Sequence, residues 1–126
     1  MLSISPANPQ PLYLQVVDQL RALILAGDLS PGDPLPSVRQ LAIDIATSVI
    51  TTRRAYLELE REGLIVTRPG RGTFVAELDA HQRRSAALAL LQRELGGWLA
   101  RAQALGVEPR ALQDLLDSAI EREVRR

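Results

Sequence analysis

The chain contains no cysteine and no lysine, and it has a single histidine among its 126 residues. Without cysteine, disulfide bonds, thiolate catalysis and cysteine metal sites are excluded. An enzyme of another kind would need a nucleophile with a base or a cluster of metal ligands. The lone His81, which we expect in solvent, supplies neither. We therefore predict that the protein is not an enzyme and has no metal and no cofactor.

Long apolar runs are also lacking. No stretch approaches the eighteen apolar residues of a membrane span, and the N-terminus lacks a charged region followed by an apolar run. The sequence predicts a cytoplasmic protein without a membrane partner. Its length suits one ordinary core, or one core plus an appendage.

Net charge is absent as well, because fifteen arginines balance fifteen acidic residues. A neutral chain at first argues against a nucleic-acid partner, since phosphate neutralisation supplies most of such binding. The distribution is uneven, however. Of the six arginines between residues 39 and 71, all but Arg61 are predicted to share one face, whereas Glu58, Glu60 and Glu62 cluster at one end of a predicted helix. A neutral protein can therefore still present a basic face.

The stretch from Ser37 to Val75 has the strongest local pattern. Ser37 and Gln40 form a capping-box sequence, and Val38, Leu41, Ala42 and Ile45 then recur at helical spacing. After a turn near Ala46, a second helix is predicted from about 48 to 62, ending at Gly63. Strand-like runs at 64–67 and 73–76 flank a basic, glycine-containing turn. This order predicts a winged helix-turn-helix, with the wing at 64–76.

The flanking segments complete the predicted fold. Residues 1–10 are interpreted as a flexible lead-in, and a helix with an apolar stripe is predicted from Leu12 to Ala26, ending at Gly27. Tyr13 and Tyr56 are interpreted as core residues. The fold class is thus mainly α with a small β-hairpin: a winged helix-turn-helix at 11–77, followed by a two-helix hairpin at 78–126.

The start of the second helix and the wing turn carry the candidate DNA contacts. Hydroxyls, guanidinium groups and exposed backbone N–H groups there suit phosphates and base edges. Singly, these residues could be solvated surface, and the threonine hydroxyls could bond nearby carbonyls. Val49 and Ile50 cannot hydrogen-bond a base; they could contact a thymine methyl group or pack inward. The candidates are Arg39, Ser48, Val49, Ile50, Thr51, Thr52, Arg53, Arg68, Gly70, Arg71 and Gly72.

The region after residue 78 is rich in alanine, leucine and arginine, a helix-forming mixture. Its apolar residues follow a heptad spacing, and a second stripe follows Gly106. Two short helices leave an apolar face that a second copy of the chain could cover; the alternative is packing on the chain's own winged helix. The predicted dimer interface contains Leu88, Leu91, Leu95, Trp98, Leu99, Ala102, Leu105, Leu112, Leu115 and Leu116.

Three runs of this sequence resemble the DNA-binding domain of GntR-family bacterial transcription regulators. They are Leu35 to Ala42, Thr51 to Tyr56 together with Leu59 to Ile65, and Gly70 to Val75. The resemblance covers about residues 8–77, and the short helical tail is similar to the YtrA-like branch. It implies DNA contacts at Arg39, Thr51, Arg53, Gly70 and Arg71. Val49 and Ile50 depart from the polar residues that many relatives have there, which leaves the operator sequence open.

Together these features predict a sequence-specific transcription regulator, a repressor that binds a double-stranded inverted-repeat operator as a homodimer. The rival interpretation is a winged-helix adaptor that joins proteins without affinity for DNA. No residue pattern identifies a small-molecule effector.

Overall fold

The computed structural model describes residues 2–124. Met1, in the predicted lead-in, and residues 125–126, in the predicted tail hairpin, lie outside the described residues. The predicted fold class is confirmed: helices predominate, with one small antiparallel sheet. In chain order the elements are α1 (Leu12–Ala26), β1 (Pro34–Leu35), α2 (Val38–Asp44), α3 (Val49–Arg61), β2 (Ile65–Arg68), β3 (Gly72–Val75), α4 (Ala80–Ala104) and α5 (Pro109–Val124).

The core forms where the apolar faces of α1, α2 and α3 meet the sheet. In each helix the core residues recur at the spacing that places them on one face, and in the strands they are the residues whose side chains point inward. Tyr13 and several other partly buried apolar side chains pack around it. The buried cluster contains Val16, Val17, Leu20, Ile24, Leu35, Leu41, Ala55, Tyr56, Leu59, Leu64, Ile65 and Val75.

Side-chain caps fix the starts of α2 and α3. The Ser37 hydroxyl accepts the backbone N–H of Gln40, which is half of the predicted capping box. The reciprocal bond is absent from the described contacts, because the Gln40 amide donates to Asp44 Oδ1 at 2.8 Å instead. The chain turns between the two helices through Ala46, whose φ of 54° lies in the left-handed region. Gly63, with φ of 77°, ends α3 as predicted.

The sheet has the order β1-β3-β2, with β3 in the centre. The β2–β3 hairpin was predicted, whereas β1 was not. β1 has only two residues, and Pro34 pairs with Phe74 and Leu35 with Thr73, far along the chain. A local pattern cannot indicate so distant a partner. This pairing anchors the base of the wing to the segment that leads into α2.

The segment before α1 is held to that helix by hydrogen bonds with the side-chain amides of two glutamines. Gln19 accepts the N–H of Ser3 and donates to its carbonyl, at 2.8 and 2.6 Å. Gln15, which is buried, makes the same pair of bonds with Ser5, at 2.9 and 3.0 Å. Sequence analysis, which interpreted 1–10 as a flexible lead-in, gave no indication of these bonds.

The chain divides into two compact units, 1–86 and 87–126. This division falls within α4 and not at the predicted 77/78 boundary. The reason is that the start of α4 is bound to the first unit: Leu78 and Ala86 pack against the core, and Arg83 donates to the carbonyls of Ile24 and Leu25 at the end of α1. These bonds tie the start of α4 to the last turn of α1, where arginine side chains commonly bond the final carbonyls.

Tyr56 makes the stability of the first unit sensitive to alkaline pH. Its hydroxyl donates to the carbonyl of Pro36 at 2.6 Å, and burial raises its pKa from 10.0 to about 12. The unfolded chain therefore loses this proton first as pH rises, so stability is full below about pH 10 and falls between pH 10 and 12. Between about pH 9.5 and pH 11.5 we expect the free energy of unfolding to fall by about 2 kcal/mol.

Urea unfolding followed by circular dichroism at several pH values measures this loss. The chain has no lysine or cysteine whose titration would overlap. Tyr56→Phe is the matched control, which should be less stable at neutral pH and should lose most of the alkaline slope. A slope unchanged in that variant would show that Tyr56 is not the titrating group.

Candidate nucleic-acid interface

The first turn of α3 presents a mixed polar and apolar surface. The Ser48 hydroxyl accepts the N–H of Thr51 at 3.2 Å and lies 2.9 Å from the Thr51 hydroxyl. Both hydroxyls thus stabilise the helix start, although Ser48 stays exposed and Thr51 half-buried. Val49 is half-buried, whereas Ile50 is 81% exposed. Of the two apolar residues at this turn, Ile50 is the one that extends into solvent.

Thr52 is a correction to the predicted interface. Its side chain is 0% exposed, and its hydroxyl donates to the carbonyl of Val38 at 2.7 Å. It therefore cannot contact a duplex. The spacing contained the signal, because Thr52 precedes Ala55, Tyr56 and Leu59 by three, four and seven residues, as a core-facing position should. The bond instead fixes the first turn of α3 against the start of α2.

That bond brings Arg39 close to the start of α3, because Arg39 directly follows Val38. Arg39, Arg53 and Arg54 are all exposed. The guanidinium carbon of Arg54 lies 3.9 Å from the centre of the Tyr13 ring, a cation–π contact that orients this arginine. Sequence analysis assigned Tyr13 to the core only and missed this second contact.

The wing turn holds the other predicted contacts. Arg68 ends β2 and Gly72 begins β3, and the two are paired across the hairpin. The turn closes with a bond from the Arg71 N–H to the Arg68 carbonyl at 2.9 Å, and Gly70 adopts a left-handed φ of 74°. Both arginines are exposed. Among residues 2–124, no hydrogen bond or salt bridge joins this turn to the start of α3.

The acidic end of α3 is occupied by ion pairs. Arg21 of α1 is 2% exposed and donates to both carboxylate oxygens of Glu62, with Nη2 2.6 Å from Oε2, and to Asp18 at 2.8 Å. Arg61 pairs with Glu58, and its hydrogen bond lowers the pKa of that carboxyl. Within the described chain, by contrast, none of Arg39, Arg53, Arg54, Arg68 and Arg71 forms a salt bridge.

The helices of the second unit leave the predicted dimer residues largely exposed. Trp98 is 63% exposed and Leu105 68%, and Leu88, Leu91, Leu95, Leu99, Leu115 and Leu116 are exposed as well. Side chains of α4 and α5 together line a groove of about 520 Å³, with Leu95 and Trp98 on one wall and Leu112 and Leu116 on the other. An apolar groove of this kind is typical of a surface that another molecule covers.

Two predicted dimer residues differ from the rest. Ala102 is only 8% exposed, so its own chain already covers it, and it is not available as a contact. Leu112 is half-buried. α4 continues through Gly96 and Gly97, and a Cβ added at either position would meet nothing within 4 Å.

Over residues 2–124, no group of three or more histidine, aspartate or glutamate side chains is placed to hold a metal ion. His81 is exposed, as expected. No helix in this part of the chain combines the length and the apolar character that crossing a membrane requires.

The fold and its basic surfaces define a winged helix-turn-helix regulator. Residues 12–75 match the family model described as bacterial regulatory proteins, gntR family. The chain belongs to this family and is a transcription regulator. It is 38% identical over 114 residues to the HTH-type transcriptional repressor YtrA of Bacillus subtilis, covering 90% of this chain and 88% of that relative.

Solved structures agree with this assignment. A GntR family transcriptional regulator from Listeria monocytogenes superposes with a TM-score of 0.70 at 26% identity, covering 88% of this chain and 96% of that one. The DNA-binding domain of AraR, solved in complex with an operator, superposes with a TM-score of 0.54 at 29% identity. That match covers 59% of this chain and 94% of the AraR domain.

Proposed function

We propose that the protein is a repressor that binds an inverted-repeat operator as a homodimer, with α3 in the major groove and the wing on the adjacent backbone. The observation that carries this is the division of charge in the first unit. Exposed arginines without salt bridges lie at the starts of α2 and α3 and in the wing turn, whereas the acids Glu58 and Glu62 at the far end of α3 are paired. Guanidinium groups left without acidic partners suit phosphates and guanine edges.

The relatives support the same function. The AraR domain with a similar fold is bound to an operator, and YtrA is named a transcriptional repressor. A repressor of this kind acts where an operator overlaps a promoter, and a bacterial regulator does so in the cytoplasm. The DNA contacts we assign are Arg39, Ser48, Ile50, Thr51, Arg53, Arg68, Gly70, Arg71 and Gly72, with Val49 beside them.

A homodimer supplies the affinity that an operator requires, because one winged helix alone binds DNA too weakly to hold a single operator. One winged helix has a non-specific dissociation constant of about 10⁻⁴ to 10⁻⁶ M. A second DNA-binding unit held near it multiplies affinity by roughly 10² to 10⁴. The exposed apolar residues of α4 and α5 give a second copy a surface to cover, and a two-fold dimer matches a palindromic site with half-site centres about one helical turn apart.

Arg39→Ala and Arg71→Ala are expected to weaken operator binding by about tenfold or more each, since each removes one arginine contact from both half-sites. Both side chains are exposed, so the variants should fold normally. Fluorescence anisotropy with a labelled operator duplex measures the affinity. Repeating it at two salt concentrations tests the phosphate contribution, because each lost contact should lower the salt dependence.

Arg110→Ala is the matched control, because this arginine is also exposed but lies in the first turn of α5. It should bind like the unmodified protein. Equal affinity for all three variants would exclude the assigned surface. An affinity for duplex DNA that is absent at both salt concentrations would favour the protein-joining adaptor.

A further inference from the structure

Ile50 is an apolar side chain placed where a DNA-binding helix contacts bases. It is the second residue of α3 and is 81% exposed. Leu59, which is 0% exposed, lies about two and a half turns further along the helix, so Ile50 extends from the side opposite the core. Arg53 and Arg54 follow it by three and four residues and therefore share its face. Exposing an apolar side chain on this face is unfavourable in water, because its surface is not removed from solvent.

The polar side chains of the same turn are partly occupied. The Ser48 and Thr51 hydroxyls lie within hydrogen-bond distance of each other, and the Thr52 hydroxyl is buried against the Val38 carbonyl. Base contact by hydrogen bonding is therefore limited at the very start of α3. Ile50, which is 81% exposed, presents to solvent at this turn a side chain that cannot hydrogen-bond.

In the major groove, the base edges offer one apolar group, the 5-methyl group of thymine. We propose that Ile50 packs on this methyl group, so that each operator half-site requires a thymine opposite the start of α3. This inference rests on the proposed function and deepens it by naming the chemical group that sets specificity. Ile50, not the half-buried Val49, is the contacting residue.

Two other exposed apolar residues of the first unit do not meet the same conditions. Leu57 is 61% exposed but lies seven residues further along α3, about two turns from its start. Ile43 is 73% exposed but belongs to α2. Leu57 therefore serves as the matched control, because it is exposed, apolar and on the same helix face.

The test first selects a bound duplex from randomised DNA, and then replaces each thymine of that duplex with uracil, one symmetric pair at a time. Uracil removes the methyl group and leaves every hydrogen-bonding atom in place. At one pair of positions the dissociation constant should rise roughly fourfold for each methyl group, or about fifteenfold for the two half-sites. In Ile50→Ala the same replacement should change affinity less than about twofold, because the contact is already gone.

The control Leu57→Ala should keep the full uracil effect. Circular dichroism of both variants verifies folding, which an exposed position should not disturb. An enriched duplex in which uracil is tolerated at every position, or in which the uracil effect persists in Ile50→Ala, would overturn the role of Ile50 alone. Failure to enrich any duplex would overturn the proposed function together with it.

Discussion

Glu62→Gln is expected to lower the free energy of unfolding of the first unit by about 3 kcal/mol, because it leaves a buried guanidinium without its main partner. Arg21 is 2% exposed, with Nε 3.0 Å from Glu62 Oε1 and Nη2 2.6 Å from Oε2. Asp18 would still accept from Nη1. Because the Glu62 side chain is 26% exposed, we expect a loss at the lower end of the range for buried pairs.

Urea denaturation followed by far-ultraviolet circular dichroism measures this change. Glu60→Gln is the control, since Glu60 is exposed on the same helix and should change stability by less than about 0.5 kcal/mol. The double variant Arg21→Met with Glu62→Leu should regain most of the loss, because no unpaired charge stays buried. A loss below about 1 kcal/mol for Glu62→Gln would mean that water or Asp18 compensates the guanidinium fully.

If the protein is the proposed homodimer, replacing both Leu95 and Trp98 with glutamate is expected to give monomers and to weaken operator binding by about 10²- to 10⁴-fold. Both side chains are exposed and line the groove between α4 and α5, so charges there would have to be buried against the second copy. Burying an unpaired charge costs far more than the leucine contacts it replaces. Sedimentation velocity gives the oligomeric state and anisotropy gives the affinity.

The control for this experiment adds the same charge to the opposite side of the same helix. Ala100→Glu lies two residues after Trp98, is exposed, and falls outside the heptad positions of the predicted interface. It should remain dimeric and bind the operator normally. If the double variant still sediments as a dimer, the contact between copies lies elsewhere than in this groove.

Apolar spacing predicted the helices of the first unit because each buries one face. The periods of Val16, Val17, Leu20 and Ile24 in α1, and of Ala55, Tyr56 and Leu59 in α3, define those faces. β1 was not predicted, because a strand of two residues has no local sequence pattern and is defined only by its pairing with the distant strand β3. The pairing of Arg21 with Glu62 also joins residues far apart in sequence, and no local pattern predicts it.

The candidate DNA contacts were only partly predictable, because residue type does not show which side of a helix faces the core. Residue type alone placed Thr51 and Thr52 together, whereas position on the helix separates them into a half-buried and a fully buried side chain. The position of each threonine relative to the apolar face of α3 would have predicted its burial better than its residue type did. Val49 and Ile50 are both apolar and adjacent in sequence, so residue type did not show which of them faces solvent. The exposure of each side chain in the structure was needed to identify Ile50.

The order of charges along α3 is the reverse of the order that an isolated helix favours. Three glutamates, Glu58, Glu60 and Glu62, crowd the end where unpaired carbonyls already make the potential negative. Arg61 pairs with Glu58, and Arg21 of α1 pairs with Glu62. The end of this helix therefore depends on α1. If residues 49–62 were moved alone into another protein, Glu62 would lose the guanidinium of Arg21 that pairs with it.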